Sequence, residues 1–279
     1  YDIVGCDWSS DVCSSDLGAA PVVLRLLPWL LPAVLLAAWG LAGATGWMPG
    51  YLLPDPGRIA GSFSLYLFGQ AGSAPYAGRF SIDAAASLAR VSMGFAAAVL
   101  LGVPLGVLSG RSPTVQSLLG TTIDGVRAVP GISWLPLAMA WFGIGLGTTV
   151  FLIALAAFFP IYLNTASGVR CVDPILSQAG AMMGVGPLRS VWAILMPAAM
   201  PQILAGLRLG LGTSWAYLVL GELTGVPNGL GAVIMDARML GRVDIIIVGI
   251  VVIAVMGRLS DLLLTASMRA CFRSARRLT

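Results

Sequence analysis

From Leu26 to Trp47 the chain runs for 22 residues without one charged side chain, and no other feature restricts its fold as much. At about 1.5 Å per residue, a helix of that length crosses a hydrocarbon core of about 30 Å. Backbone amides find no water there, so the spanning form must satisfy them internally, as a helix does. Further apolar runs follow at Leu88 to Ser109, Ala128 to Ile144, Thr148 to Leu163, Ile194 to Gly221 and Ile245 to Thr265. The pattern predicts an all-α integral membrane protein of about six transmembrane helices. The third and fourth runs are short and are separated by the glycine-rich stretch Gly143 to Gly147, which reads as a helical hairpin. Pro130, Pro136, Pro160, Pro197 and Pro201 fall within or at the ends of the spans, as helices packed among neighbours tolerate.

The organisation follows from these runs. Residues 18–47 hold the first span. Residues 48–86 turn polar and rich in Pro and Gly around Leu53-Pro54-Asp55-Pro56, with a moderately apolar piece, Ile59 to Phe68, expected along the interface. Residues 87–267 hold the other five helices, and 268–279 form an arginine-rich tail. Tyr1 to Leu17 is polar, rich in Ser and Asp, and lacks the charged-then-apolar layout of a signal peptide. It is expected to be a foreign or disordered segment outside the fold.

Composition removes most catalytic chemistry. The chain is 58% hydrophobic and 10% charged, with a mean hydropathy of +0.91, whereas soluble domains carry about a quarter of their residues charged. It has no lysine and no histidine, and its one glutamate is Glu222. Without histidine there is no Ser/His/Asp arrangement and no imidazole relay, and without lysine there is no Schiff-base or P-loop chemistry. The chain therefore cannot hydrolyse ATP by itself, and no enzymatic role is expected. The four cysteines form no C-x-x-C pair, and no metal-ligand spacing occurs. A net charge of +4 is modest. Arg269, Arg273, Arg276 and Arg277 directly follow an apolar helix, where they suit anionic lipid rather than nucleic acid.

Arginine placement sets the orientation. With the N-terminus inside, the inner segments hold Arg25, Arg111, Arg127, Arg170, Arg189 and the tail arginines, against Arg58, Arg79, Arg238 and Arg242 outside. Both termini are expected in the cytoplasm. The polar excursion 167–192 between spans four and five then faces the cytoplasm, within reach of a soluble partner.

That excursion carries Gln178-Ala179-Gly180-Ala181-Met182-Met183-Gly184, then nine residues, then Ile194-Leu195-Met196-Pro197. Small side chains at 179, 180 and 184 let a short helix lie close against another protein, and Gly184 permits a bend that a β-carbon would resist. The same residue types also serve close packing of membrane helices. The spacing resembles the EAA motif of binding-protein-dependent ABC importer permeases, E-A-A-x3-G-x9-I-x-L-P, which in that family forms a coupling helix seated on the ATPase. Gln178 stands where the family has Glu, Gly180 for the second Ala and Met196 for the Leu.

The resemblance runs from about Leu26 to the C-terminus and is nearest to permeases for sulfonate, taurine, nitrate and bicarbonate, most of all those for aliphatic sulfonates. It is carried by Leu53-Pro54-x-Pro56, Ser87-Leu88-x-Arg90, Gly102-Val103-Pro104-Leu105-Gly106, Arg127-x-x-Pro130, Trp141-Phe142-Gly143 and Phe159-Pro160-x-Tyr162-x-Asn164-Thr165. Gly206-Leu207-Arg208, Trp215, Glu222 and Gly229-Leu230-Gly231 complete it. It implies a type I (MetI-like) core at 87–267 with coupling helices at 168–192, working as a homodimer. Two cytoplasmic ATPase subunits, which use ATP and Mg, would dock through Asp173, Gln178, Ala179, Gly180, Gly184 and Pro197. A periplasmic binding protein would deliver the anion, and no cofactor would be bound by this chain itself.

Polar residues inside the spans are candidates for the translocation pathway: Arg208, Trp215, Glu222 and Asn164. Arg208 could instead reach lipid headgroups, and Glu222 could lie at the outer boundary. Fourteen residues, roughly 21 Å of helix, keep those two from pairing. Arg258 and Asp261, three apart, are expected to form a structural ion pair. An ion-coupled secondary transporter or channel is the alternative reading. It calls for an intramembrane coupling site and often inverted repeats, neither of which stands out.

Overall fold

The computed structural model describes residues 54–70 and 75–271, together with Ser73 and the helical residues 30, 31, 34 and 37–41. The first span, the segment 1–17 and the tail beyond 271 lie wholly or largely outside the described residues. The chain divides into two compact units, residues 1–61 and 62–279, and the long packed helices belong to the second. Among the described residues there is no strand. Helix α1 spans Pro56–Phe68, α2 Phe80–Arg111, α3 Pro113–Ala128, α4 Leu135–Phe142 and α5 Leu146–Arg170. After these come α6 Pro174–Met182, α7 Pro187–Ser190, α8 Met196–Glu222, α9 Leu230–Met239 and α10 Val243–Cys271. Helices α2, α5, α8 with the turn before it, and α10 are each long and apolar enough to cross a bilayer.

Helices α2 and α5 pack along a seam of small residues. A β-carbon built on Gly94, Gly102, Gly106 or Gly110 of α2 would meet Ile153, Ile161, Thr165 or Val169 of α5 at 2.5–3.0 Å. The partner number exceeds the glycine number by 59 every time, so the two helices run parallel and in register over four turns. Side chains this small let helix backbones approach closely, which is how membrane helices gain dispersion energy without a hydrophobic drive. Across α5 and α8 the order reverses. Gly168 faces Gln202, Gly206 faces Asn164, Gly210 faces Ile161 and Gly221 faces Thr149, so this pair is antiparallel. Ala98, Ala157, Ile161, Ala199, Ile203 and Leu207 form the buried core where the three helices meet.

The expected third span, Ala128 to Ile144, is not one helix. Pro130 has no amide hydrogen and disfavours helical geometry in the residue before it. Val129 accordingly takes φ −75° and ψ 121°, ending α3. A 3₁₀ turn, Gly131–Trp134, then leads into the eight-residue α4, which stops at Gly143 with φ +72°. Between the second and third apolar runs, the chain forms the helix α3 rather than an open connection. Helices α1 and α2 likewise begin earlier than expected, α2 eight residues before Leu88.

Pro160 lies inside α5 and leaves the Ala156 carbonyl without its helical donor; the Thr213 hydroxyl of α8 stands 3.3 Å from that oxygen. Before Pro197 the chain widens into a π-helical turn, Val191–Leu195, in which the Met196 amide donates to the Val191 carbonyl. The wider turn keeps the proline ring clear of the carbonyl four residues back.

Candidate functional site

At one end of α8 lies the loop of the sequence motif. The Asp173 carboxylate accepts the Ile175 amide at 2.9 Å and caps α6, with Pro174 in its first turn. At the other end of α6, Gly184 has φ +77°. There the Val185 amide donates to the Gly180 carbonyl and the Gly184 amide to the Ala181 carbonyl, both at 3.0 Å. This is a Schellman ending, and the left-handed position it requires suits glycine. Gly180 is buried against the Ile194 side chain, while Gln178 and Ala179 face outward. Ile175 is 67% exposed, Met182 89% and Met183 77%. The motif thus builds a short rigid helix that turns its large apolar side chains away from the fold. Pro197 sits in the first turn of α8.

Between α8 and α10 runs a cavity of about 690 Å³ whose lining includes Arg208, Gly212, Trp215, Ala216, Gly257 and Asp261. Arg208 donates to the Asp261 carboxylate through Nε at 2.8 Å and Nη2 at 3.1 Å. Arg258 joins the same carboxylate at 3.1 Å, the ion pair expected from their spacing. The Trp215 indole donates to Ser260 Oγ at 2.9 Å. Two of the four pathway candidates, Arg208 and Trp215, are therefore brought together.

The other two are not. Asn164 donates to the Pro160 carbonyl of its own helix at 2.8 Å and packs at the crossing with Gly206. Glu222 is not among the residues that line the Arg208 cavity. It is fully buried at the opposite end of α8 from the motif loop, accepting Arg90 Nη1 at 2.6 Å, Ser87 Oγ at 2.8 Å and the Gly231 amide at 2.8 Å. Arg90 also donates to the Asn228 carbonyl and side-chain oxygen at 2.8 and 2.9 Å. Ser87 Oγ accepts the Leu230 amide and Asp83 the Gly229 amide. Three successive amides at the start of α9 are thus capped by side chains of α2 and α8, two of them carboxylates suited to a helix N-terminus. Tyr66 of α1 donates to the same Asp83, and burial with that carboxylate beside it pushes the phenol well above its ordinary value.

Strings that are separate in the sequence, around Ser87 and Arg90, Glu222 and Gly229 to Gly231, meet here as one cluster. Sequence alone does not single out Asp83 or Asn228. Asp83, Ser87 and Arg90 stand at i, i+4 and i+7 on one face of an apolar helix, and that polar stripe was the available signal. Among the described residues no group of three acidic or sulfur side chains could hold a metal.

Residues 102–274 match the family described as the binding-protein-dependent transport system inner membrane component. The chain belongs to this family. The permease is 36% identical to the putative aliphatic sulfonates transport permease protein SsuC of Bacillus subtilis, over 83% of this chain and 81% of that one. It is 40% identical to the taurine transport system permease protein TauC of Escherichia coli, over 66% and 67%. With the nitrate import permease protein NrtB of Synechocystis it shares 32% over 87% and 86%. A chain of the MetNI methionine ABC transporter in an inward-facing conformation superposes with a TM-score of 0.58, covering 70% of the permease and 98% of that chain at 18% identity. The all-α, MetI-like fold expected from the sequence is therefore met, and the permease is a multi-pass membrane subunit of an ABC importer.

Proposed function

We propose that two copies of the permease form the pathway by which a small anion, best read as an aliphatic sulfonate, enters the cell. Taurine, nitrate and bicarbonate belong to the same class of cargo. In this reading both termini are cytoplasmic, and two ATPase subunits that use ATP and Mg dock on α6 and α7 of each copy. A periplasmic binding protein delivers the anion, and the permease itself performs no catalysis. The observation that carries the reading is α6: a helix fixed at both ends, by Asp173 and by the Schellman turn at Gly184, that exposes Ile175, Leu176, Met182 and Met183. Exposed apolar side chains on a rigid element mark a surface for a partner. Closure of the ATPases on ATP would draw these knobs together and reopen the cavity towards the other side, a rigid-body transition.

The test is co-purification of native permease and Gly184→Arg with the ATPase and binding protein encoded beside it, followed by binding-protein-stimulated ATP hydrolysis. Native protein assembles and stimulates; the variant inserts, and loses at least tenfold of the stimulation. Native permease that binds no ATPase, or transports without one, would sink the proposal.

A further inference from the structure

The break between α3 and α4 opens a second cavity, of about 190 Å³, whose walls include Arg127, Gly131, Trp134, Phe159, Thr213 and Tyr217. Ala156, Phe159 and Thr213 lie in the middle thirds of α5 and α8, so the cavity sits at mid-span depth. Arg127, counted from the sequence among the loop arginines at the inner surface, is an exposed residue that lines this cavity from the last turn of α3.

Its guanidinium is unlike those of Arg90, Arg208 and Arg258, each of which holds a carboxylate. Among the described residues, Arg127 has no ion pair and no hydrogen bond, and neither does the Tyr217 hydroxyl, which lies against Gly131. An arginine at membrane depth without a carboxylate faces a water-filled cavity or a ligand, because lipid exposure is expensive. Its planar fork matches the oxygens of a sulfonate, nitrate or carboxylate, and the hydroxyl supplies another donor. Trp134 and Phe159 offer apolar wall to a short tail. The volume equals that of about six water molecules, which limits the guest to about four to eight non-hydrogen atoms.

We propose that this cavity is a binding point for a small oxyanion on the translocation route, with Arg127 gripping the anionic head, Tyr217 donating to it, and Trp134 and Phe159 bounding a tail of at most about three carbons. The proposal rests on the reading of the permease as an anion importer and assigns that route a residue-level filter. The Arg208 groove differs in kind, since its cations are already neutralised in part by Asp261.

The experiment measures equilibrium binding of nitrate, methanesulfonate and hexanesulfonate to the intact permease–ATPase complex in phosphatidylcholine nanodiscs. A parallel set contains phosphatidylglycerol, to separate a free anion from a lipid phosphate. Methanesulfonate is expected to bind at least tenfold more tightly than hexanesulfonate. Arg127→Gln should weaken it tenfold or more and Tyr217→Phe about fivefold. Arg238→Gln, which removes the same charge from an exposed site outside the cavity, should change nothing. Ala156→Met fills the cavity with the charges intact, so it should weaken methanesulfonate more than nitrate. Wild-type complex that binds neither small anion, Arg127→Gln that binds as tightly as wild type, or loss only in phosphatidylglycerol discs overturns the proposal. If the complex still assembles and answers its binding protein, such a result removes this site and leaves the importer reading standing; a complex that never assembles removes that reading instead.

Discussion

Replacing Arg90 by methionine isolates the buried charge cluster. The substitution keeps the length of the stem and removes the guanidinium, leaving the fully buried Glu222 with two neutral donors, Ser87 and the Gly231 amide. Breaking one side of a buried ion pair costs about 3–5 kcal/mol because the remaining charge has lost its counterion. The two bonds to Asn228, at about 1 kcal/mol each, are lost as well, and the polar loop they hold overlaps the same cluster. A loss of about 4 kcal/mol is expected, a large part of a total that is typically about 5–15 kcal/mol. The double variant Arg90→Met/Glu222→Met removes both charges, so it should lose about 2 kcal/mol less than the sum of the single variants. Unfolding by titration with sodium dodecyl sulfate in mixed micelles, followed by tryptophan fluorescence, measures all four proteins, and the eight tryptophans make the signal large. Arg90→Met within about 1 kcal/mol of native, or a double variant that costs the full sum, would refute the pairing as the lock between α2, α8 and α9.

The α2–α5 seam gives a second expectation. A β-carbon on Gly106 would lie 2.7 Å from Thr165 Cβ and 2.9 Å from the Tyr162 carbonyl, so Gly106→Val should destabilise by about 1–3 kcal/mol in thermal unfolding. Gly120→Ala, with open space around it in the middle of α3, should not destabilise and should gain up to about 1 kcal/mol. In the loop before α6, Asp173→Ala removes the helix cap at a cost of about 1 kcal/mol. It should lower binding-protein-stimulated ATP hydrolysis, whereas Asp173→Asn, which can still accept the Ile175 amide, should retain most of it.

The helical membrane fold and the short α6 with its turn at Gly184 were legible in the chain itself. Each rests on local physics: runs long enough to cross a bilayer, prolines and glycines that punctuate helices, and a short motif whose turn needs a positive φ at Gly184. The family resemblance pointed correctly to the permease class through strings such as Gly102 to Gly106 and Gly206 to Arg208. Apolar periodicity could not foresee that Ala128 to Ile144 would break, because the run stays apolar through Pro130 and only the backbone registers the missing amide.

What the sequence alone determined is therefore the class of element and the solvent it lives in, since hydropathy and turn chemistry act over a few residues. Only the tertiary structure decided which polar residues matter to one another. Arg90 and Glu222 are 132 residues apart and Arg208 and Asp261 are 53, and Arg127 lines one cavity with Phe159 and Thr213 only because α3 carries it there. The partner of a buried charge is chosen by helix register, here the constant offset of 59 between α2 and α5 and the reversed order of α5 and α8, and register is a property of packed helices that no single segment carries.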